Sequence, residues 1–449
     1  MTLLLAALFA CKGEPADDTG TPEVIVPELA SIELRLHDEY ESIVVASWSQ
    51  QVEASGQLEY RFEGEEWSTT PQRELAIGEV EQLVLGVPYE ATVEVRLVND
   101  FGDGPQTGDA QTITTASMPD GLPIPEVETS VSDKLDTGAD YILGCMNEKP
   151  GGWVGGVYWT FIMDRQGRVV WARQTPGNDW TIYCQTNRAG DELMLDHSTY
   201  WADWDEGRGS QIVRMKIDGT VVDVVEAPGL HHPFIDLPDG SIAYGRAQGN
   251  SETLERINPD GSQDTIWDCD DFHSEMGAQA ECQSNSLWWH EETDTFLFSF
   301  FMTSEVVRID HATGETLAAW GRMADSWDFD PIQSKFSWQH GPTITDEGTL
   351  LLSLESASYE TEVREYEIDE DGETLHMVWS FGEGEGVHGE TAGEAWRLDN
   401  GNTLHNYGSA TRLREITPEG EVVWDVYWPG RKRLLGHTTF VEDLYALAP

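Results

Sequence analysis

Apolar and polar residues alternate in short runs along the N-terminal part of the chain. Six such runs lie between residues 29 and 117: "SIELRLHD", "SIVVASWSQ", "QLEYRFEGEEW", "EQLVLGV", "ATVEVRLVNDFGDG" and "AQTITTA". A period of two is typical of strands with one buried face, and this number of short strands is typical of a β-sandwich. We therefore predict an all-β protein whose first domain, residues 29–117, is a β-sandwich.

One strand–turn–strand pattern recurs six times in the remainder of the chain, for example in "VVRIDHATGETLAAW" (306–320). Its turn glycines are Gly167, Gly219, Gly261, Gly314, Gly372 and Gly420. Their spacing ranges from 42 residues (Gly219 to Gly261) to 58 residues (Gly314 to Gly372), which is the period of a β-propeller blade. Glycine supplies the positive φ that these tight turns need.

A second hairpin lies between these copies, for example "TITDEGTLLLS" (343–353), so each unit has four strands, a to d. Five units are complete. The sixth takes strand a from residues 437–447 and its other strands from residues 140–173. We predict a six-bladed β-propeller over residues 135–449, closed by pairing of its two ends, after a linker at 118–134. Such closure removes a free sheet edge.

The N-terminus, "MTLLLAALFAC", combines a short apolar run with a cysteine. The run is too short to span a bilayer, and its end is typical of a bacterial lipobox. We predict a signal peptide over residues 1–11, lipidation of Cys11 and an acidic tether over residues 12–28. A disordered apolar tail is the alternative. The prediction implies an exported protein, lipid-anchored in a bacterial outer membrane and facing the periplasm or the cell surface.

Four further cysteines are disulfide candidates: Cys145, Cys184, Cys269 and Cys282. An even number in an exported protein predicts disulfides, and Cys269 and Cys282 are close enough in sequence to close one loop. Their spacing does not match a zinc site, and we predict no bound metal ion from them.

The net charge is −56, from 26 basic and 82 acidic residues. This charge argues against nucleic acid and anionic membrane surfaces as partners, because phosphate binding needs clustered Lys and Arg. The membrane contact that we predict is therefore the lipid anchor alone. An anionic substrate needs a local cationic pocket against this background.

Histidines recur at the start of strand a. His232 and His340 each precede the turn glycine of their hairpin (Gly240 and Gly348) by the same number of residues, and His437 begins the sixth strand a. A propeller directs these starts to one mouth of its channel. Further candidates on that face are His231, Asn285, His197, Arg246, Thr411 and Arg412.

Imidazole has a pKa near neutrality, so these histidines are candidates for nucleophile, general base or anion donor. The alternative is that they fill a wet channel as satisfied polar side chains. A metal site is a weaker interpretation than either, because no carboxylate pairs obviously with the histidines at the start of strand a.

The segments "HHPFIDLPDGSI", "NSLWW", "WQHGPTITDEGTLLL" and "RLDNGNTL" resemble, in this order, the repeated motifs of bacterial arylsulfate sulfotransferases. The resemblance covers residues 135–449. It implies an exported six-bladed propeller that moves a sulfuryl group from a phenolic sulfate ester to another phenol. It also implies a sulfated histidine and no phosphoadenosine phosphosulfate or other organic cofactor. In the first domain, Trp48 and "VEVRLVNDFGDGP" (93–105) resemble a fibronectin type III module.

Carried onto this chain, the resemblance implies that His232 and His340 are two helper histidines. The arginine of the family falls at Ser358 or Tyr359, and its nucleophilic histidine falls at Thr411. Arg246 or Arg412 is a candidate for the cation, and His437, His405 or His197 is a candidate for the imidazole from a neighbouring blade. Of these we favour His437 and Arg246.

Two other functions are open. The residues at these two family positions also suit a non-catalytic, lipid-anchored propeller that binds a ligand, glycan or protein at the cell envelope. A calcium-stabilised hydrolytic propeller is the third, suggested by the acidic loops "DWDEG" (203–207) and "DCDDFH" (268–273), although such charge runs usually form a solvated face. The predicted partner is a small phenolic or sulfated molecule.

Overall fold

A computed structural model describes residues 29–138, 140–151, 154–203, 206–276, 281–430 and 432–449. The predicted signal peptide, Cys11 and the tether lie outside these residues and stay predictions. No helix within the described ranges is both long and apolar enough to cross a membrane.

Nine strands form the first domain: β1 (Glu33–Leu36), β2 (Val44–Gln50), β3 (Ala54–Phe62), β4 (Ser68–Thr69), β5 (Arg73–Leu75), β6 (Gly78–Val84), β7 (Thr92–Asp100), β8 (Pro105–Thr107) and β9 (Gln111–Thr114). One sheet has the order β1-β2-β6, and the other is built around the pair β3 and β7. Alternate residues of β3 are buried, and Trp48, Leu58 and Val95 pack in one apolar core between the sheets. The predicted β-sandwich is confirmed.

The regular secondary structure of the rest of the described chain is also almost entirely β. They are β10 (Glu126–Ser130), β11 (Tyr141–Asn147), β12 (Tyr158–Asp164), β13 (Val169–Gln174), β14 (Cys184–Thr186), β15 (Leu193–His197), β16 (Gln211–Met215), β17 (Val221–Glu226), β18 (Leu230–Asp236), β19 (Ile242–Gln248), β20 (Ser251–Ile257), β21 (Gln263–Asp268), β22 (Ser284–His290), β23 (Thr295–Phe300), β24 (Glu305–Asp310), β25 (Thr316–Gly321), β26 (Asp328–Asp330), β27 (His340–Ile344), β28 (Leu350–Glu355), β29 (Thr361–Asp369), β30 (Thr374–Phe381), β31 (Glu394–Arg397), β32 (Thr403–Asn406), β33 (Arg412–Ile416), β34 (Val422–Tyr427) and β35 (Leu435–Val441). Two short helices, α1 (Tyr200–Asp203) and α2 (Cys269–Glu275), lie in loops, and 3₁₀ turns cover Ile332–Ser334 and Gly408–Ala410.

These strands form six antiparallel sheets, each with four strands in the predicted a-to-d order. Five sheets are continuous in sequence: β14 to β17, β18 to β21, β22 to β25, β27 to β30 and β31 to β34. The sixth has the order β35-β11-β12-β13, so β35 near the C-terminus pairs with β11. This is the split unit that the sequence predicts for the propeller.

Two strands lie outside the predicted pattern. β26 pairs in parallel with β30, and β10 pairs antiparallel with β34. Residues 126–130 were predicted as part of a linker, but their alternating side chains let them extend the outer edge of a sheet. An added strand satisfies backbone groups that an open edge leaves unpaired.

Buried polar side chains join neighbouring sheets. The Glu252 carboxylate accepts a hydrogen bond from the backbone N–H of Ser284, at 2.7 Å, and Asn406 Nδ2 donates to the Gly436 carbonyl, at 2.8 Å. The sandwich also contacts the propeller, because Tyr40 and Leu85 pack in one apolar cluster with Trp171.

The four cysteine candidates divide into two pairs with different states. Cys269 and Cys282 form the predicted disulfide. Cys145 and Cys184 are buried free thiols, so the prediction that they form a disulfide is wrong. Their sulfur atoms lie 3.7 Å and 3.5 Å from the carbonyl oxygen of His437, to which each thiol donates.

Candidate functional site

The inner strands that carry His232, Asn285, His340 and His437 are irregular at that residue. The pairing of β18 with β19 shifts between Leu230 and Phe234, and the pairing of β27 with β28 shifts between His340 and Thr343. Proline follows both histidines, as Pro233 and Pro342, and has no N–H to donate to the next strand. A bulge turns side chains out of the sheet plane, so the same irregularity in several blades directs them toward the channel.

These side chains meet in a cavity of about 180 Å³ at one mouth of the channel. His232, His340, His437 and Asn285 line it, so the fold brings together four of the residues that the sequence singles out. Glu394 lines it as well. Engineered cavities of roughly 150 Å³ bind benzene, so this cavity has the size for one aromatic ring.

His437 is held by a carboxylate. Its Nδ1–H donates to Glu394 Oε2 at 2.6 Å, and both side chains are buried. The other carboxylate oxygen of Glu394 accepts from the backbone N–H and the hydroxyl of Thr438 and from Asn406 Nδ2. The ring of His437 stacks on Tyr183, with 4.1 Å between centroids. With Nδ1 as the donor, Nε2 is the basic nitrogen of a neutral His437.

His340 uses both ring nitrogens within the protein. Nδ1 donates to the Trp338 carbonyl at 3.1 Å, and Nε2 accepts from the backbone N–H of Ala392 at 3.1 Å. Burial lowers the pKa of His340 from its ordinary value to about 4, so the ring is neutral at neutral pH. In this geometry His340 holds the segment before β31 against the cavity.

His232 contacts a second histidine. Its Nδ1 is hydrogen-bonded to Nδ1 of His231, and His231 Nε2 lies 3.2 Å from the Glu252 carboxylate. Burial, reinforced by His231 and His340, holds the pKa of His232 well below its ordinary value. A line of polar groups therefore runs from the cavity to a buried carboxylate.

Three aromatic side chains, Tyr183, Trp201 and Phe301, form part of the cavity wall. Trp201 of α1 meets the ring of His232 edge-on at 5.6 Å, and Phe301 lies 5.8 Å from His340. Asn285 donates Nδ2 to the Gln339 carbonyl at 2.6 Å. Among the described lining residues there is no Lys or Arg.

Five predicted residues lie outside the described lining of this cavity: His231, which contacts His232 from behind, and Arg246, Thr411, His197 and Arg412. Arg246 lies on β19 opposite Leu230. The Thr411 hydroxyl donates to the adjacent Ala410 carbonyl, at 2.7 Å. His197 bonds to Arg173, and Arg412 forms ion pairs with Asp425 and Glu128. Local partners therefore occupy the side chains of Thr411, His197 and Arg412.

Sequence reasoning missed Glu394, and the expectation that no carboxylate pairs with the histidine column is wrong. Glu394 begins the strand a of its blade, directly after Gly393 in "AGEAW". Its position at a strand-a start, where histidines recur in other blades, could have identified it as a site residue. Sequence reasoning also missed Tyr183 and Trp201. Tyr183 directly precedes β14, the strand a of its blade, and Trp201 lies in α1, outside the repeated pattern.

A group of possible metal ligands lies outside the cavity. Cys269, His273 and Cys282 have ligand atoms within 4.8 Å of one another, but the two sulfurs are joined as a disulfide. A disulfide offers no thiolate to a metal ion. In the acidic segment 268–273 the Asp268 carboxylate caps α2 by accepting from two backbone N–H groups. Calcium binding stays a prediction.

Comparisons with known proteins add no function. No protein-family model and no curated protein matches the chain. Similar solved structures include a streptogramin B lyase, with 12% identity over 69% of this chain and 88% of that one, at a TM-score of 0.39. The Cps50 (Swd1) β-propeller domain of Myceliophteria thermophila has 12% identity over 69% of this chain and 91% of that one, at 0.42. An auxiliary nutrient binding protein of Bacteroides thetaiotaomicron has 10% identity over 91% and 90%, at 0.36. Likeness at this level carries no argument about activity.

Proposed function

We propose that the cavity is the active site of an enzyme that transfers a group from the oxygen atom of one phenol to that of another, with His437 as nucleophile or general base. The observation that carries this proposal is the hydrogen bond of 2.6 Å between His437 Nδ1 and Glu394. A carboxylate on one ring nitrogen fixes the tautomer, orients the ring and makes the other nitrogen more basic.

The substrate class follows from the size and lining of the cavity. A volume of about 180 Å³ suits a single ring, and Tyr183, Trp201 and Phe301 supply aromatic walls. A phenol adds one hydroxyl group, which needs a polar partner. The side chains of His437 and Asn285 offer such partners at the wall of the same cavity.

Sulfuryl is the first candidate for the transferred group, because the repeated motifs resemble those of arylsulfate sulfotransferases. His437 then takes the part that the resemblance assigns to position 411. Nε2 of His437 attacks the sulfur of an aryl sulfate, the bond from sulfur to the aryl oxygen breaks, and the phenolate leaves. A second phenol, which gives up its proton, attacks the sulfur, and the nitrogen–sulfur bond breaks.

The charge of a sulfate ester needs cations, and two of them, Lys432 and Arg433, directly precede the lining residue Leu434 on the segment that leads into β35. Lys432 donates to the His388 carbonyl at 2.6 Å, and Arg433 donates to the Glu148 carbonyl at 3.0 Å. Both partners are uncharged backbone groups, so the two positive charges are available to an anionic ligand. With Arg431 these residues form the one run of consecutive basic residues in the sequence.

The non-catalytic alternative is favoured by one observation, the absence of Lys and Arg from the described cavity lining. An anchored propeller that binds a neutral aromatic ligand needs no cation. Under this alternative the same cavity binds phenols but moves no group.

One assay separates the two. Purified protein is incubated with p-nitrophenyl sulfate, with and without phenol, and release of p-nitrophenol is followed by absorbance. We expect release that phenol accelerates, and a loss of about 100-fold or more in His437→Gln. His311→Gln is the matched control, because His311 pairs with Asp294 on the other face of the blades. Phenol binding by calorimetry without any release would reject transfer and support the binding protein.

A further inference from the structure

His231 and Glu252 lie behind the cavity wall and have no direct part in the proposed transfer. The two residues are 1% and 0% exposed. Glu252 accepts from the backbone N–H of Ser284 at 2.7 Å and from the Ser284 hydroxyl, and it lies 3.2 Å from His231 Nε2. His231 Nδ1 then contacts Nδ1 of His232, which lines the cavity.

The hydrogen bonds that link Glu252, His231 and His232 limit where their protons can lie. A carboxylate only accepts, so His231 Nε2 carries the proton that it donates to Glu252. One proton alone fits between the two Nδ1 atoms. When that proton is on His232, His231 is neutral and His232 Nε2 is a base. When it is on His231, that ring is an imidazolium and a neutral His232 carries its proton on Nε2.

We propose that Glu252, His231 and His232 form a proton relay that moves a proton from the cavity into the protein interior. His232 accepts a proton at Nε2 and releases the proton of Nδ1 to Nδ1 of His231. The net change is one added proton, and its positive charge lies on His231 beside the Glu252 carboxylate. The relay rests on the proposed function in one respect: the phenol that attacks in the second step is the proton donor.

The relay explains how His232 acts as a base despite its surroundings. Burial and the neighbouring His340 disfavour a positive charge on His232 itself. Transfer to His231 places the charge 3.2 Å from an anionic partner, and an opposite charge at this distance stabilises the protonated form. Among the described residues, Tyr200 is a further titratable group at this histidine pair, with its ring centroid 5.0 Å from that of His231.

The blades offer a matched control for Glu252. Buried glutamates recur near the start of strand c, as Glu252, Glu305 and Glu362 in "SET", "SEV" and "TEV". Glu305 accepts from the Ser326 hydroxyl and the Met323 N–H, in place of a histidine. Glu305→Gln therefore reproduces the loss of a buried carboxylate away from the relay.

The test is a pH titration of the full chain with ¹⁵N-labelled histidine by NMR, without substrate. The signals of His232 are assigned by their absence in His232→Gln, and those of His231 by their absence in His231→Asn. We expect His232 to change from the Nδ1–H to the Nε2–H tautomer at the pH at which His231 becomes an imidazolium. Glu252→Gln should move this shared midpoint down by about one pH unit or more, and Glu305→Gln should leave it in place.

Three results would overturn the relay: His232 becoming an imidazolium, separate midpoints for the two rings, or an Nε2–H tautomer of His232 at every pH. The wild-type titration answers these questions even if Glu252→Gln does not fold. Because the readout needs no turnover, it also separates the two proposals. A working relay in a protein that fails the nitrophenol assay would reject the transferase and keep the relay.

Discussion

The neutral state of His340 predicts a specific weakness of this protein toward acid. The folded structure buries the ring and lowers its pKa from 6.5 to about 4. The unfolded chain exposes the ring and binds a proton below about pH 6.5. Because the folded pKa is the lower one, the contribution of the neutral ring is complete above the unfolded pKa. It is lost as the pH falls from about 6.5 toward 4.

The size of the effect follows from these two pKa values. In this window the unfolded state binds one more proton than the folded state, so the free energy of unfolding falls by about 1.4 kcal/mol per pH unit. Between about pH 7.5 and about pH 5 the loss from this residue amounts to about 2 kcal/mol. This size makes a single histidine visible in an ordinary unfolding experiment.

The assay compares wild type with His340→Gln in urea, with tryptophan fluorescence as the signal, at both pH values. We expect the stability advantage of wild type over the variant to shrink by about 2 kcal/mol on going to the lower pH. His376→Gln is the control, because this histidine is 38% exposed on the outer strand β30. An advantage that stays constant with pH would refute the reasoning, since His340 would then titrate alike in both states.

Three further predictions concern the cysteines and one glycine. Replacing Cys269 and Cys282 together by Ser should lower the free energy of unfolding by about 3 kcal/mol, as measured in urea, and reductant should then have no further effect. The two buried thiols of β11 and β14 should stay inert to a thiol reagent until the protein unfolds, because burial raises the pKa of both thiols; labelling of the native chain would contradict this. Gly341→Ala should cost about 1 kcal/mol or more and lower the nitrophenol release, because an added Cβ would lie 2.8 Å from Cα of Glu394 at a φ of +56°. Unchanged stability and release in Gly341→Ala would contradict that contact.

The strand pattern was readable because its causes are local. Alternation along β3 reflects one buried face, and Gly219, with a φ of +94°, supplies the positive φ of its turn; in the turn of Gly372 the positive φ falls on Glu373 instead. For the same reason, the local pattern did not predict correctly where the linker ends and the first strand of the second domain begins. Residues 126–130 carry a strand pattern, but only the open edge of β34 shows what they pair with.

The candidate site was predictable in part. The repeat marked His232 and His340, since each precedes the turn glycine of its hairpin by the same number of residues, and the structure places a bulge at both. It did not reveal that His340 is fully hydrogen-bonded, or that the Thr411 hydroxyl faces the carbonyl of its own neighbour. Side-chain partners depend on loops whose conformation has no periodic signal.

The sequence by itself determined that this chain is all-β, that six similar sheets follow a sandwich, and that histidines recur at one position of the repeat. These features depend on alternation, turn glycines and spacing, which act over a few residues. Only the tertiary structure decided which polar groups meet. Glu394 and His437 are 43 residues apart and belong to different sheets, yet the tertiary structure places them 2.6 Å apart. Local patterns cannot encode that distance, because it results from the packing of whole sheets against one another.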